Sequence, residues 1–370
     1  MFDGADAVDR GDAVYGQAAR AERSRGVVTA LRGSVWLGGE EDPLPDHVVL
    51  IDDNGDIAEI SPFEAGLARD VDDVLGGPTC WIGPGIYDRH VHLCGLDPRD
   101  LLPTGVVAVR DLGDPEGHPG PEPDAATGLP VRSVGHVLTA SARGSARITA
   151  EPVLDSAEKA VAHAAAQHEL GAQAIKVGLH DESCASATPP AVLAAAVDAA
   201  HERSLPVIAR AQTVELVVRA LEAGVDELAN TPAEVLPDSV VGQVKEARIA
   251  VSSTLQMLYA SGLGPAAARN AAALIEAGVP LYYGTDQGNI AGRPGVDPRE
   301  LDRLAQAGLG RDGALRSASY GPLLVGSPAR IVVLQDDPLR EPAAWWAPLM
   351  TISGTSRAFG SGPLDPVALR

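Results

Sequence analysis

The sequence predicts an α/β fold, a (β/α)8 TIM barrel with a small β-sandwich domain built from both chain ends. Three observations predict it. Past Trp81, short apolar runs alternate with alanine-rich amphipathic segments, the rhythm of parallel strands joined by crossover helices. There are eight such runs, the number that closes a barrel. Strand-like text also appears before this region and again after it. A length of 370 residues, with 45% hydrophobic and 21% charged residues, suits a barrel carrying an appended module.

Taken in order, residues 1–26 hold scattered Asp, Arg, Gly and Ala without an apolar period and read as a poorly ordered arm. Short apolar stretches follow at 27–32, 34–37, 47–52 and 57–60. Asp53-Asn54-Gly55 between the last two is a hairpin signal. Residues 27–81 together with 326–370 are assigned to the composite β domain, and 82–325 to the barrel. The barrel strands are expected at 86–93, 106–111, 131–139, 174–178, 206–211, 227–229, 250–254 and 280–284. Helices are expected at 156–170, 190–203, 214–223, 232–246, 265–277, 298–307 and 313–324. The tail returns to strands at 329–334, 350–353 and 357–359, which lets it rejoin the N-terminal module.

A formal charge of −21 leaves no basic footprint for nucleic acid or an anionic membrane, so neither is expected as a partner. Cys80, Cys94 and Cys184 lack C-x-x-C spacing and read as small buried hydrophobes rather than a disulfide or thiolate framework. Without a membrane-length apolar run or a signal-like start, the expected compartment is the cytoplasm. A homo-oligomer is compatible with the sequence.

The chemistry centres on Gly83-Pro84-Gly85-Ile86-Tyr87-Asp88-Arg89-His90-Val91-His92-Leu93. On a strand, His90 and His92 project to one side, where two imidazoles can grip one divalent metal. Reactive groups of such barrels sit at the C-terminal strand ends. Those ends carry His90 and His92, Arg110-Asp111, Lys176, Arg210, Asn230 and Asp286. Closure makes the eighth strand the neighbour of the first, which sets Asp286 beside the two histidines as a candidate metal site.

In order and spacing these residues resemble the amidohydrolase superfamily, in its imidazolonepropionase-like and Xaa-Pro dipeptidase-like branch. The resemblance rests on Pro84-Gly85-Ile86 leading to Asp88, His90 and His92, on Thr104-Gly105-Val106 leading to Val109-Arg110-Asp111-Leu112-Gly113, and on Ala174-Ile175-Lys176-Val177. It continues through Arg219-Ala220-Leu221-Glu222-Ala223-Gly224-Val225-Asp226, Ser253-Thr254-Leu255, Gly284-Thr285-Asp286 and the tail Pro328-Ala329-Arg330-Ile331-Val332-Val333-Leu334.

The resemblance implies one divalent metal, zinc foremost, on His90, His92 and Asp286, with Asp286 also shuttling a proton. It implies that Lys176 is a candidate for carboxylation, as a carbamylated lysine that serves as a further ligand. The sequence departs at the fifth and sixth strands, where Arg210 and Asn230 stand in place of the family's second-metal histidines. A guanidinium cannot ligate a metal and an amide ligates poorly, so a single-metal site is expected. Arg210 then offers a fixed positive charge to a carbamate, a substrate carboxylate or a developing oxyanion. Asn230, His136, His180, Gln287 and Asn289 are candidate substrate contacts. Arg110-Asp111 reads as a structural pair below the site, and Trp345-Trp346 as packing.

The expected activity is hydrolysis of a C–N bond, in an amide or cyclic amide or amidine, with a small molecule or short peptide as substrate. Catalysis is assigned to Asp286, Arg210 and Lys176. Two alternatives stand beside it: a non-hydrolytic cyclase, dehydratase or isomerase using the altered site, and an inactive barrel retained for binding.

Overall fold

A computed structural model describes residues 27–64, 74–113, 128–139, 155–179, 188–289 and 292–360. The arm expected over 1–26 and the candidate His180 lie outside them. Elements are numbered in chain order. β1 (Val27–Val35), β2 (Leu44–Asp52) and β3 (Ile57–Pro62) form an antiparallel meander. The turn between β2 and β3 is the expected Asp-Asn-Gly turn. Asp52 Oδ1 accepts from the backbone N–H groups of Asn54 at 2.9 Å and Asp56 at 3.0 Å, and Gly55 takes the left-handed conformation at φ 81°.

β4 (Val74–Pro84) runs parallel to β1 on one side and antiparallel to β14 (Arg330–Leu334) on the other. β15 (Met350–Ser353) and β16 (Ser356–Phe359) complete a sheet in the order β16-β15-β14-β4-β1-β2-β3. β1–β3 and β14–β16 share one hydrogen-bonded sheet of seven strands rather than two stacked sheets, because β4, unassigned from sequence, bridges both sets. Leu31, Val49, Ile82, Ile331, Val333 and Ile352 bury one shared apolar cluster, each worth about 1.5–3 kcal/mol against exposure. Cys80 belongs to that cluster, whereas Cys94 is exposed, contrary to the sequence expectation.

The parallel strands fall into two sheets. β5 (Ile86–Val91), β6 (Val106–Asp111) and β7 (Val131–Ser133) form one. β8 (Val137–Thr139), β9 (Ile175–Gly178), β10 (Val207–Arg210), β11 (Glu227–Leu228), β12 (Ala250–Ser252) and β13 (Leu281–Tyr282) form the other. The expected third strand is split by Gly135, which sits at φ 66° and breaks the extended run. The stretch after β13 binds back to β5: Asp286 N–H donates to His90 O at 2.7 Å and His92 N–H to Gln287 O at 2.7 Å.

The helices follow their sequence signals. α1 (Ala157–Glu169) is capped by Ser156, and α2 (Pro190–His201) starts on its proline. α3 (Val214–Ala223) is capped by the Thr213 hydroxyl and ended by left-handed Gly224. α4 (Asp238–Glu246) starts later than expected, after Pro237. The preceding segment is held as a loop by Asn270, which accepts from Leu236 N–H and donates to Pro232 O and Glu234 O. A short helix not expected from sequence, α5 (Leu255–Ala260), precedes α6 (Gly264–Ala277). α7 (Pro298–Leu304) and α8 (Gly310–Ala318) follow. No helix among the described residues is long and apolar enough to cross a membrane. Stacked Trp36 and Trp81, with Trp345 edge-on at 6.4 Å from Trp81, join the seven-stranded sheet to the parallel region.

Candidate metal centre

His90 and His92 sit on and just past β5, and the loop after β13 carries Asp286 against them. That loop closes because position 288 is glycine. Gly288 has φ 88°, and a Cβ there would lie 1.9 Å from His92 O. Asp286 is itself left-handed at φ 59°, a conformation that costs a non-glycine residue energy and that clusters at functional sites. Beneath the site, buried Asp88 ties β5 to this loop. It accepts from His90 N–H and Thr285 N–H, both at 3.1 Å, and from Thr285 Oγ1 at 2.5 Å.

His90 Nε2 lies 3.4 Å from His92 Nε2, and Asp286 Oδ1 lies 3.3 Å and 3.2 Å from the two nitrogens. Relative exposures of 1%, 5% and 0% exclude bulk water from all three residues. His90 Nδ1 donates to Ala229 O at 2.6 Å and His92 Nδ1 to Gly113 O at 3.3 Å. With Nδ1 carrying the proton, each Nε2 turns a lone pair inward. Burial pushes His90 down to about 4 despite the opposing pull of Asp286, so it is neutral at neutral pH. Burial works against the charge of Asp286; positive charge at the paired imidazoles, or a cation held with them, brings the carboxyl well below its usual range.

Three donors therefore converge on one point, and both Asp286 oxygens are buried without a hydrogen-bond donor. A buried carboxylate of this kind calls for a cation. Edges of 3.2–3.4 Å between two nitrogens and an oxygen suit an ion about 2.0–2.2 Å from each. The residues fit a divalent metal.

Register places the other strand-end residues. Lys176 pairs with Ile208, Ile208 with Glu227, and Arg210 lies two residues beyond Ile208, so Lys176, Arg210 and Glu227 face one side of the six-stranded sheet. Burial, reinforced by Arg210 and Arg110 and opposed by Asp286, pushes the Lys176 amine down to about 7. Its charge in turn opposes protonation of His90. Arg210 is half-buried and has no ion pair or side-chain hydrogen bond among the described residues. Asn230 is fully buried; its Nδ2 donates to Thr254 Oγ1 at 2.9 Å, while Oδ1 has no partner.

Two further sequence candidates lie on the Asp286 loop and one beyond β7. Gln287 is consumed by its own loop: Nε2 donates to Thr285 Oγ1 and Gly295 O, and Oε1 accepts from Gly295 N–H. Its amide is a staple with little capacity left for substrate. Asn289 follows Gly288 on this loop, half-buried. His136 sits between β7 and β8 towards α1, its N–H on Gln167 Oε1 at 3.3 Å and its ring near His163, away from the histidine cluster.

Arg110 does not pair with Asp111. It donates to Glu227 across the interior, to Ser252 Oγ and to Arg89 O, because its side chain points inward with β11 and β12. Asp111 Oδ1 instead accepts from Leu93 N–H and Gly113 N–H, both at 3.3 Å, bracing the turn after His92. Glu227 went unassigned in the sequence, where it follows another acid, Asp226, in Val225–Ala229.

No family model and no curated protein matches the sequence. Solved structures do match. A Xaa-Pro dipeptidase with methionine bound in its active site aligns with a TM-score of 0.77 at 17% identity, over 90% of this chain and 100% of that one. A putative prolidase from Bifidobacterium longum aligns at 0.73 and 23% identity, over 91% and 96%. An amidohydrolase structure aligns at 0.73 and 19% identity, over 90% and 99%. Nearly the whole lengths of both partners superpose in each case, and this chain shares their fold.

Proposed function

We propose that this chain is a metal-dependent hydrolase of the amidohydrolase superfamily that cleaves a C–N bond in a small molecule or short peptide. We read the two parallel sheets as arcs of one (β/α)8 barrel. The observation that carries the reading is the buried convergence of His90 Nε2, His92 Nε2 and Asp286 Oδ1. The names borne by the aligned structures, dipeptidase, prolidase and amidohydrolase, point to the same bond class.

A divalent ion, zinc foremost, would be held by His90, His92 and Asp286 and would supply Lewis acidity to polarise the scissile carbonyl and acidify water. Ala229 O and Gly113 O hold the Nδ1 groups of His90 and His92, which aims each Nε2 at the ion. Asp286 turns Oδ1 to the imidazoles, leaving Oδ2 to take a proton from water and return it to the leaving nitrogen. The sequence resemblance aligns Arg210 and Asn230 with the family's second-metal histidines, which supports a single-metal site. Lys176, with its amine pushed down to about 7, is part neutral near physiological pH, and that neutral amine is the form able to take up CO2 as a carbamate or to ligate directly.

Elemental analysis of purified protein tests the reading. One tightly held divalent ion per chain is expected in the wild type. Asp286→Asn should lose that ion and, against any substrate found, at least about 10²-fold in kcat. A wild type that binds no divalent metal after zinc loading, or an Asp286→Asn variant with full turnover, would overturn it.

A further inference from the structure

Regular strand pairing does not by itself fix the three donors. β13 ends at Tyr282, four residues before Asp286. The ladder between β5 and β6 is irregular between Asp88 and Val91, the stretch that holds His90. Asp286 is also left-handed, a backbone state that a non-glycine residue keeps only where its surroundings impose it. A metal site tolerates errors of only about 0.2 Å in its ligand distances. Something beyond the ladders must hold both segments.

The buried Asp88 side chain spans them. Its Oδ1 accepts from His90 N–H and Thr285 N–H, and its Oδ2 from Thr285 Oγ1 and, at 3.4 Å, from Gln287 Nε2. One carboxylate thus holds the amide of one donor residue and the residues on either side of another. Gln287 extends the hold to Gly295, and Gly295 is pressed against the turn ahead of β6, where a Cβ would lie 2.1 Å from Thr104 Oγ1. Asp88 itself bonds to none of the three donor atoms among the described residues. It acts on them through backbone and neighbouring side chains, as groups behind a metal's ligands do.

We propose that Asp88 is the positioning residue of the metal centre: through Thr285 and Gln287 it imposes the left-handed turn at Asp286, and so sets the distance of that carboxylate from the two imidazoles. The inference rests on the metal-centre reading above. A carboxylate suits the task because all four of its contacts are donors. An Asn at this position would keep one oxygen for the two N–H groups, but its Nδ2 would meet the Gln287 amide as a second donor. An Ala would keep none of the contacts. The hold on Asp286 should therefore weaken in the order Asp, Asn, Ala.

Two measurements on the full chain test this: zinc affinity by competition with a chromogenic chelator, and amide hydrogen exchange of the metal-free protein read by mass spectrometry. Asp88→Ala should weaken zinc about tenfold to a hundredfold. It should also speed exchange over residues 285–287 at least about tenfold while leaving α3 unchanged. Asp88→Asn should fall between it and the wild type, and Thr285→Val, which removes one of the four contacts, should shift both readings the same way by less. If Asp88→Ala fails to fold, the last two variants carry the test. Zinc affinity unchanged in the variants, zinc weakened with exchange over 285–287 unchanged, or exchange quickened equally in α3 would each overturn the inference. A wild type that takes up no zinc, while the variants still free residues 285–287, would sink the metal-centre reading and leave the hold of Asp88 on the Asp286 turn standing. A wild type that binds zinc, with variants that bind it equally well, would do the reverse.

Discussion

Arg110 and Glu227 lie 117 residues apart and meet in the interior, with Ser252 Oγ donating to Glu227 Oε1 at 2.8 Å. The mutual pull of the pair holds Glu227 charged against the cost of burial and raises Arg110 further. Taking a paired ion out of water leaves its partner stranded once one member is removed. Arg110→Met should therefore destabilise the protein by about 3–5 kcal/mol, and Arg110→Met with Glu227→Leu by much less, as read by urea unfolding. A double variant no more stable than the single would show that the pair is not the source of the loss. His90, His92 and Asp286 were legible in the sequence, because strand periodicity and the first-strand to last-strand neighbour rule fix them without knowledge of side-chain contacts. The partner of Arg110 was not, since alternation says which face a side chain takes and not which residue it meets there. For the same reason Gln287 read as a pocket residue, while its amide is closed on Gly295 and Thr285.

At the scale of elements, short α5 depends on a residue from another helix. Glu300 on α7 is fully buried and accepts from the N–H groups of Leu255 and Gln256, the first two residues of α5. α5 was missed because the group that caps it is not local: it comes from 45 residues downstream. Burial pushes the Glu300 carboxyl up to about 7 from 4.5, against the hydrogen bonds that favour its charge. An acid raised on folding stabilises below its unfolded pKa, and that contribution is lost as pH climbs through the folded value. Stability should then fall between about pH 4.5 and 7, by up to roughly 3 kcal/mol from this group, with buried Asp88 acting in the same direction. Denaturant midpoints across this range check the sign, and Glu300→Gln should flatten the slope. α3, by contrast, was legible to the residue, because its cap Thr213 and its terminator Gly224 are both local signals.

At the scale of the molecule, the seven-stranded sheet and the parallel region meet at Trp81 and Trp345. Trp345 is buried against the Gly105 turn ahead of β6 as well as against Trp81. Trp345→Ala should cost about 3–5 kcal/mol and loosen both parts together, giving one unfolding transition by far-UV circular dichroism and by tryptophan fluorescence. Separate transitions would show that the two parts are held independently. The alternation of strand and helix made the parallel region readable. The single sheet was harder to foresee, because β4 opens on Val74-Leu75-Gly76-Gly77-Pro78, a weak strand former that pairing on both edges overrides.

That middle position of β4 has a consequence for biosynthesis. Its outer edge is sealed by β14, some 250 residues later in the chain, so while the ribosome works through everything between them the nascent sheet presents a bare row of amides and carbonyls. The early strands must wait for the last ones, leaving a vulnerable interval in which chains could pair with one another. Ribosome-bound fragments halted before Arg330 should accordingly be captured by holdase chaperones, and those released past Phe359 should escape them.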